Sequence, residues 1–224
     1  MTSARRALLV LAIGIATLGV AERQARPQGW YADVETSLGS FTIKLLPEQA
    51  PQTVAHFAAF AEGRMEFVDP FTGTKKKVPY YDGIAIHKTV FSQRFEAGDM
   101  TGTGQGMPLV WVPSEPGLVN FSRPYRVGMT AASMKRISGV VFFISIVAEP
   151  YLNARHNCFG EVVEGRDVVD RICQVATNNR GAPLEPVVIK HIAIVKSGDP
   201  PPLAAPIPYD PPEPVLGLRP DAKP

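Results

Sequence analysis

The chain has 224 residues, 45% of them apolar and 20% charged, with 22 prolines and a formal charge of +2. This length accommodates one domain of ordinary size plus flanking segments, and the composition excludes a fibrous or wholly disordered chain. So small a net charge excludes a nucleic-acid or anionic-lipid partner held mainly by counterion release.

Residues 1–21 have the makeup of an export signal: Arg5 and Arg6, an apolar stretch from Ala7 to Val20, and a small-x-small site, Gly19-Val20-Ala21, before Glu22. The stretch falls short of the ~20 residues that span a bilayer, so cleavage is expected rather than anchoring. No cysteine follows it that would carry a lipid, and no later segment is apolar over a membrane-spanning length. Cleavage removes two arginines and no acid, taking the formal charge from +2 to about zero. The expected location is periplasmic or extracellular, without stable membrane insertion. Residues 22–29 form a linker.

From Trp30 to Thr36 apolar and polar residues alternate, and they alternate again from Phe41 to Leu45 after a Ser37-Leu38-Gly39-Ser40 turn. Period two on both sides of a glycine-containing turn predicts a hairpin. A helix follows from Pro51, with Val54, Phe57, Ala58 and Ala61 on one face and Gly63 as its stop. Residues 64–79 carry Asp69-Pro70 and Thr72-Gly73 and read as a loop or small hairpin, whose Lys75-Lys76-Lys77 run is a solvated segment. Further strands are predicted at 84–91, 94–98, 126–132, 140–147, 157–163 and 186–195, and a second helix from Arg166 to Val175. Two helices among about eight β-rich runs indicate an antiparallel barrel or sandwich. Residues 197–224 hold ten prolines and read as an extended, disordered tail, either a spacer or a ligand for a proline-reading partner, the spacer being preferred. Cys158 and Cys173 allow a disulfide in an oxidising compartment, but sequence alone does not bring them together.

Several segments, in order, resemble the cyclophilin family of peptidyl-prolyl cis-trans isomerases. They are Ala50-Pro51-Gln52-Thr53-Val54, Tyr80-Tyr81-Asp82-Gly83 with Ile86-His87-Lys88, Ala97-Gly98-Asp99 with Thr101-Gly102-Thr103-Gly104, and Phe142-Phe143-Ile144. The series continues with Leu152, His156, Phe159-Gly160-Glu161-Val162-Val163-Glu164-Gly165 and Leu184-Glu185-Pro186-Val187. The resemblance covers residues 30–196 and implies a closed eight-stranded antiparallel barrel capped by two α-helices.

Rotation about a prolyl amide loses C–N double-bond character at a barrier of ~18–20 kcal/mol. A catalyst of this step needs an apolar seat for the ring, a backbone edge for the peptide and a donor for the twisted amide, and neither nucleophile nor metal. The resemblance places the donor at Lys88, where the family carries Arg; lysine keeps the charge but lacks the planar fork. It places the ring pocket at Phe143 and Leu152, the rim at His156 and Tyr151, and peptide contacts at Ala131 and Ala132. Ala132 stands for an asparagine that acts through its main chain.

Where the family has F-M-x-Q, this chain has Gln93, Arg94 and Glu96. Arg94 and Glu96, two apart, share a strand face. Either Arg94 restores a guanidinium near the proline, or it and Glu96 neutralise each other; the second is preferred. Val141 replaces a polar glutamine, and Met134-Lys135-Arg136-Ile137-Ser138 replaces a glycine-asparagine run, altering the neighbouring specificity pocket.

Other chemistries fit poorly. The glycines at 102, 104 and 106 lack the Lys-Ser/Thr ending of a phosphate loop. His156 and Cys158 alone do not make a metal site. His87 reads as a hydrogen-bonded strand histidine. The expectation is an isomerase of exported, proline-containing polypeptides, monomeric and without cofactor or metal, slowed by the changes at 88, 93, 94 and 96. The alternative is a non-catalytic proline-peptide-binding or chaperone module on the same fold.

Overall fold

The alternation that begins at Trp30 becomes an antiparallel hairpin, β1 (Gly29–Thr36) and β2 (Gly39–Leu45), in which Ala32 faces Ile43 and Val34 faces Phe41. The structure, a computed structural model, describes residues 26–104, 111–115, 117, 119–133 and 136–208. The export-signal segment 1–21, Met134, Lys135 and the tail beyond 208 lie outside the described residues.

α1 (Pro51–Ala61) opens on its proline. It ends ahead of Gly63, whose φ of 68° carries no Cβ penalty in glycine. Phe57, on its inner face, meets the rings of Tyr81, Phe142 and Phe159 at 5.2, 5.6 and 5.1 Å. β3 (Phe67–Val68) and β4 (Lys75–Lys76) form the small hairpin expected within 64–79. Lys75 pairs with Glu66 at 2.8 Å and Lys76 with Asp69 at 2.5 Å, so this run is a solvated, ion-paired edge.

The remaining elements are β5 (Lys88–Val90), β6 (Arg94–Ala97), β7 (Trp111–Val112), β8 (Arg126–Ser133), β9 (Arg136–Ser145), β10 (Asn157–Glu164), α2 (Arg166–Ile172) and β11 (Ile189–Ser197). Eight strands pair in the order β11-β1-β2-β10-β8-β9-β6-β5, with β7 added on β9. The registers are antiparallel throughout.

The fold is therefore mainly β with two α-helices, as expected, but the curled sheet is not a closed barrel. Its ends meet only at one isolated bridge, Ala85 to Val188, and a few bonds such as Ile86 N–H to the Val187 carbonyl at 2.8 Å. The strand predicted over 84–91 shrinks accordingly to Lys88–Val90, because residues 84–86 pair with this edge rather than extend β5. α2 stops at Ile172, short of the expected Val175.

Cys158 and Cys173 are buried free thiols, and burial pushes their pKa values up to about 11 and about 12.

The proline-rich tail differs from its reading as disordered from residue 197 onward. Residues 198–208 run along the domain. Trp30 Nε1 and Gln28 Nε2 donate to the carbonyls of Pro201 and Asp199, both at 2.8 Å, and Leu203 packs on the core. The Ile207 N–H donates to Nε2 of His56 at 2.9 Å. His56 is fully buried on α1, and its Nδ1 has no partner among the described residues. A short run of hydrophobic and main-chain contacts suffices to tie down a segment whose prolines remove donors but leave carbonyls as acceptors.

Two outcomes follow from this packing. Phe57→Ala should lower the unfolding free energy by about 3–5 kcal/mol in urea titration, since no neighbour can fill the space of a ring held on three sides. Burial lowers the His56 pKa to about 4 from 6.5, so the unfolded chain binds this proton more strongly. Stability should fall as pH drops from about 6.5 towards 4, and His56→Gln should flatten part of that slope, read as unfolding midpoints at pH 7 and 4.5.

Candidate functional site

The candidate site is built on three neighbouring strands. In the β6/β9 ladder Glu96 stands opposite Phe143 and Arg94 opposite Ser145; in the β5/β6 ladder Lys88 stands opposite Glu96. Because side chains alternate along a strand, Arg94 and Glu96 share the face that carries Phe143, while Phe95, Phe142 and Ile144 point to the core.

Phe143 is 3% exposed and forms a second, smaller apolar cluster with Phe121, Leu152 and Cys158. Its ring lies 5.2 Å from that of Phe121 and 5.2 Å, edge-on, from the His156 imidazole. Gly128 on β8, opposite Phe143, makes this possible: a Cβ there would come within 2.3 Å of Phe143 Cζ and 2.7 Å of Phe121 Cζ. The sequence reading did not single out Phe121 or Gly128. A strand glycine between apolar neighbours was the available signal.

His156 accepts a hydrogen bond at Nδ1 from the Ala131 N–H at 3.0 Å, which leaves the imidazole proton on Nε2. Burial holds its pKa below the usual histidine range, more strongly than the nearby Glu96 raises it. The Leu152 carbonyl accepts from His156 N–H at 3.3 Å, so wall and rim come from one tight turn over Pro150–Leu152.

The charged side chains form a chain. Lys88 Nζ donates to Glu96 Oε1 at 3.1 Å, and Arg94 Nε lies 3.6 Å from the same oxygen. Arg94 Nη1 donates to Glu149 Oε1 at 2.5 Å and to the Tyr151 hydroxyl at 3.0 Å. Glu149 is 2% exposed and also accepts from Ser145 Oγ at 2.6 Å and from the Tyr151 hydroxyl. Burial works against the Arg94 charge, but Glu149, Tyr151 and Glu96 outweigh it and raise its pKa. The hydrogen bond to Glu149 raises that of Tyr151. The expected Arg94–Glu96 pair is present but secondary: Glu96 lies closer to Lys88, and the principal partner of Arg94 is Glu149, a residue absent from the sequence reading.

Of the residues expected at the site, Lys88, Arg94, Glu96, Ala131, Phe143, Tyr151, Leu152 and His156 come together. Gln93 is exposed in the β5–β6 turn, where its N–H bonds to Val90 and its carbonyl accepts from Ile146. Ala132 belongs to β8, but its side chain lies outside what is described. His87 is buried with Nδ1 unpartnered among the described residues and Nε2 4.0 Å from Glu96, which corrects its reading as a hydrogen-bonded histidine. Among the described residues no group of three or more His, Cys, Asp or Glu side chains is placed to hold a metal ion.

Comparison with known proteins agrees with this geometry. The family described as "Cyclophilin type peptidyl-prolyl cis-trans isomerase/CLD" matches residues 31–194. Peptidyl-prolyl cis-trans isomerase B of Streptomyces anulatus is 37% identical over 169 residues, 73% of this chain and 95% of the relative. Peptidyl-prolyl cis-trans isomerase A of Mycobacterium tuberculosis is 36% identical over 167 residues, 73% of this chain and 91% of the relative. A Cryptosporidium parvum cyclophilin-type isomerase, solved in the presence of the dipeptide Ala-Pro, shares the fold with a TM-score of 0.63 at 22% identity, over 75% of this chain and 99% of that one. The chain belongs to the cyclophilin-type peptidyl-prolyl cis-trans isomerase family.

Proposed function

We propose that this isomerase turns over X-Pro bonds of exported polypeptides more slowly than its relatives, with Lys88 as the charge donor. The reading rests on one observation: Lys88, Phe143, Leu152 and His156 converge on one face of the sheet around a buried aromatic floor. The proline ring would rest on Phe143 against Leu152, with His156 and Tyr151 at the rim and the main chain near Ala131 as the peptide edge. As the amide twists, its nitrogen loses conjugation and gains a lone pair, and a positioned cation stabilises that form more than the planar one.

Lys88 has a specific handicap. Its ammonium is a point charge with no fork, and Glu96 at 3.1 Å competes with the substrate for it. Removing an oriented donor altogether costs about 3–4 kcal/mol of barrier lowering elsewhere; a retained but diverted charge costs less. No cofactor takes part in this scheme. The export signal is the support for clients outside the cytoplasm, and a monomer suffices because every group named comes from one chain.

A protease-coupled assay on a short Ala-Pro peptide at micromolar protein tests the reading. Turnover equal to buffer alone, from folded protein that still binds the peptide, would decide for the non-catalytic binding module, which the Lys88–Glu96 pairing favours. Lys88→Arg should raise kcat/KM roughly tenfold, ~1.4 kcal/mol of barrier, by restoring a fork that Glu96 cannot fully occupy; an unchanged rate in a folded variant would remove Lys88 from the donor role. Phe143→Ala should weaken peptide binding at least tenfold by titration calorimetry, and unaltered affinity would place the ring elsewhere.

A further inference from the structure

The charges around the ring pocket do not balance on the solvent side. Glu149, the counter-ion of Arg94, is buried beneath it, and the Glu96 side chain is 17% exposed. The cations lie further out. The Lys88 side chain is 42% exposed. Arg155, next to His156 and close enough to lower its pKa, is exposed. Arg180 is exposed beside Gly181, whose carbonyl accepts from Thr89 N–H at 2.7 Å and whose added Cβ would meet Lys88 Cγ at 3.5 Å. With Arg94 these make four cations on or next to a face whose ion pairs, among the described residues, involve two carboxylates, one of them buried.

Arg94 is the fixed member of this set. Nη1 is held by Glu149 and Tyr151 and Nε faces Glu96, while Nη2 meets no acceptor among the described residues. A guanidinium held at Nε and Nη1 keeps its Nη2 amino group for an incoming carboxylate, at little ordering cost.

Resting on the isomerase reading, we propose that Arg94 is a specificity residue that selects clients with an acidic side chain adjacent to the proline, and that Glu149 is its positioning residue. The attraction comes from Arg94 itself, over a weaker background from the outward cations, and the orientation comes from the buried carboxylate.

The test compares binding of Ala-Glu-Pro-Glu-Ala, Ala-Ala-Pro-Ala-Ala and Ala-Lys-Pro-Lys-Ala to the full chain by calorimetry at 50 mM and 500 mM salt. The acidic peptide should bind about tenfold more tightly than the lysine peptide at low salt, and the ratio should shrink at high salt. Arg94→Met should bring the ratio to within twofold of unity. Glu149→Gln should change the ratio at least threefold in the parent chain and leave it unchanged in the Arg94→Met background. A merely structural Glu149 would instead weaken all three peptides alike. Equal affinities, or preference for lysine, in the parent chain would overturn the proposal. Affinity is read apart from turnover, so absent catalysis would count against the isomerase reading while the charge preference is still decided.

Discussion

The register of β6 against β9 is the constraint on which the site depends. Phe142 and Phe143 are consecutive, one sealed in the core against Phe57 and Tyr81, the other forming the floor of the outer cluster. A slip of β6 by one residue turns Phe95 outward and carries Glu96 and Arg94 from the rim into the apolar interior. The cost of burying those charges keeps the register as firmly as the aromatic packing does. Gly128 adds a local condition, since the Phe143 and Phe121 rings occupy the space that a side chain there would need.

On that frame the ionic groups follow from burial rather than from attraction alone. Glu149 at 2% exposure needs partners for both oxygens, and it has them in Arg94, Tyr151 and Ser145. Glu96, nearer solvent, needs less and is shared between Lys88 and Arg94. Lys88 is thereby held beside Glu96 and partly claimed by it. Its proposed role as donor and its handicap have the same origin.

Much of this was legible in the chain. Period-two alternation located the β1–β2 hairpin, and the proline-start, glycine-stop pattern located α1. The Phe142-Phe143 pair was legible as one ring on each face of its strand, because alternation must send one each way; the pocket role expected of Phe143 came from the resemblance. Long-range events were not legible. Glu149 is 55 residues from Arg94, and no local pattern announces a carboxylate that will be buried beneath a given guanidinium. The Ile207–His56 bond spans 151 residues and ties down a proline-rich segment whose composition alone reads as disordered. The sheet's open seam was hidden for a related reason: residues 84–86 have strand composition, but their hydrogen bonds reach only Val187 and Ile189 around a single bridge instead of a ladder.

The pairing of Arg94 with Glu149 also bears on how such a rim is put together. Where the family pattern has an apolar wall, this chain has a guanidinium, and a half-buried cation is tolerable only with its anion in place. Breaking a buried pair from either side leaves an uncompensated charge at about 3–5 kcal/mol, a large share of the stability of an ordinary domain. Replacing both by apolar residues of similar volume is by contrast close to neutral. Arg94 and Glu149 therefore behave as one energetic unit, with the Tyr151 hydroxyl completing the shell of Glu149. The altered wall is then a coupled feature of strand and turn, and its chemistry belongs to the pair rather than to either residue.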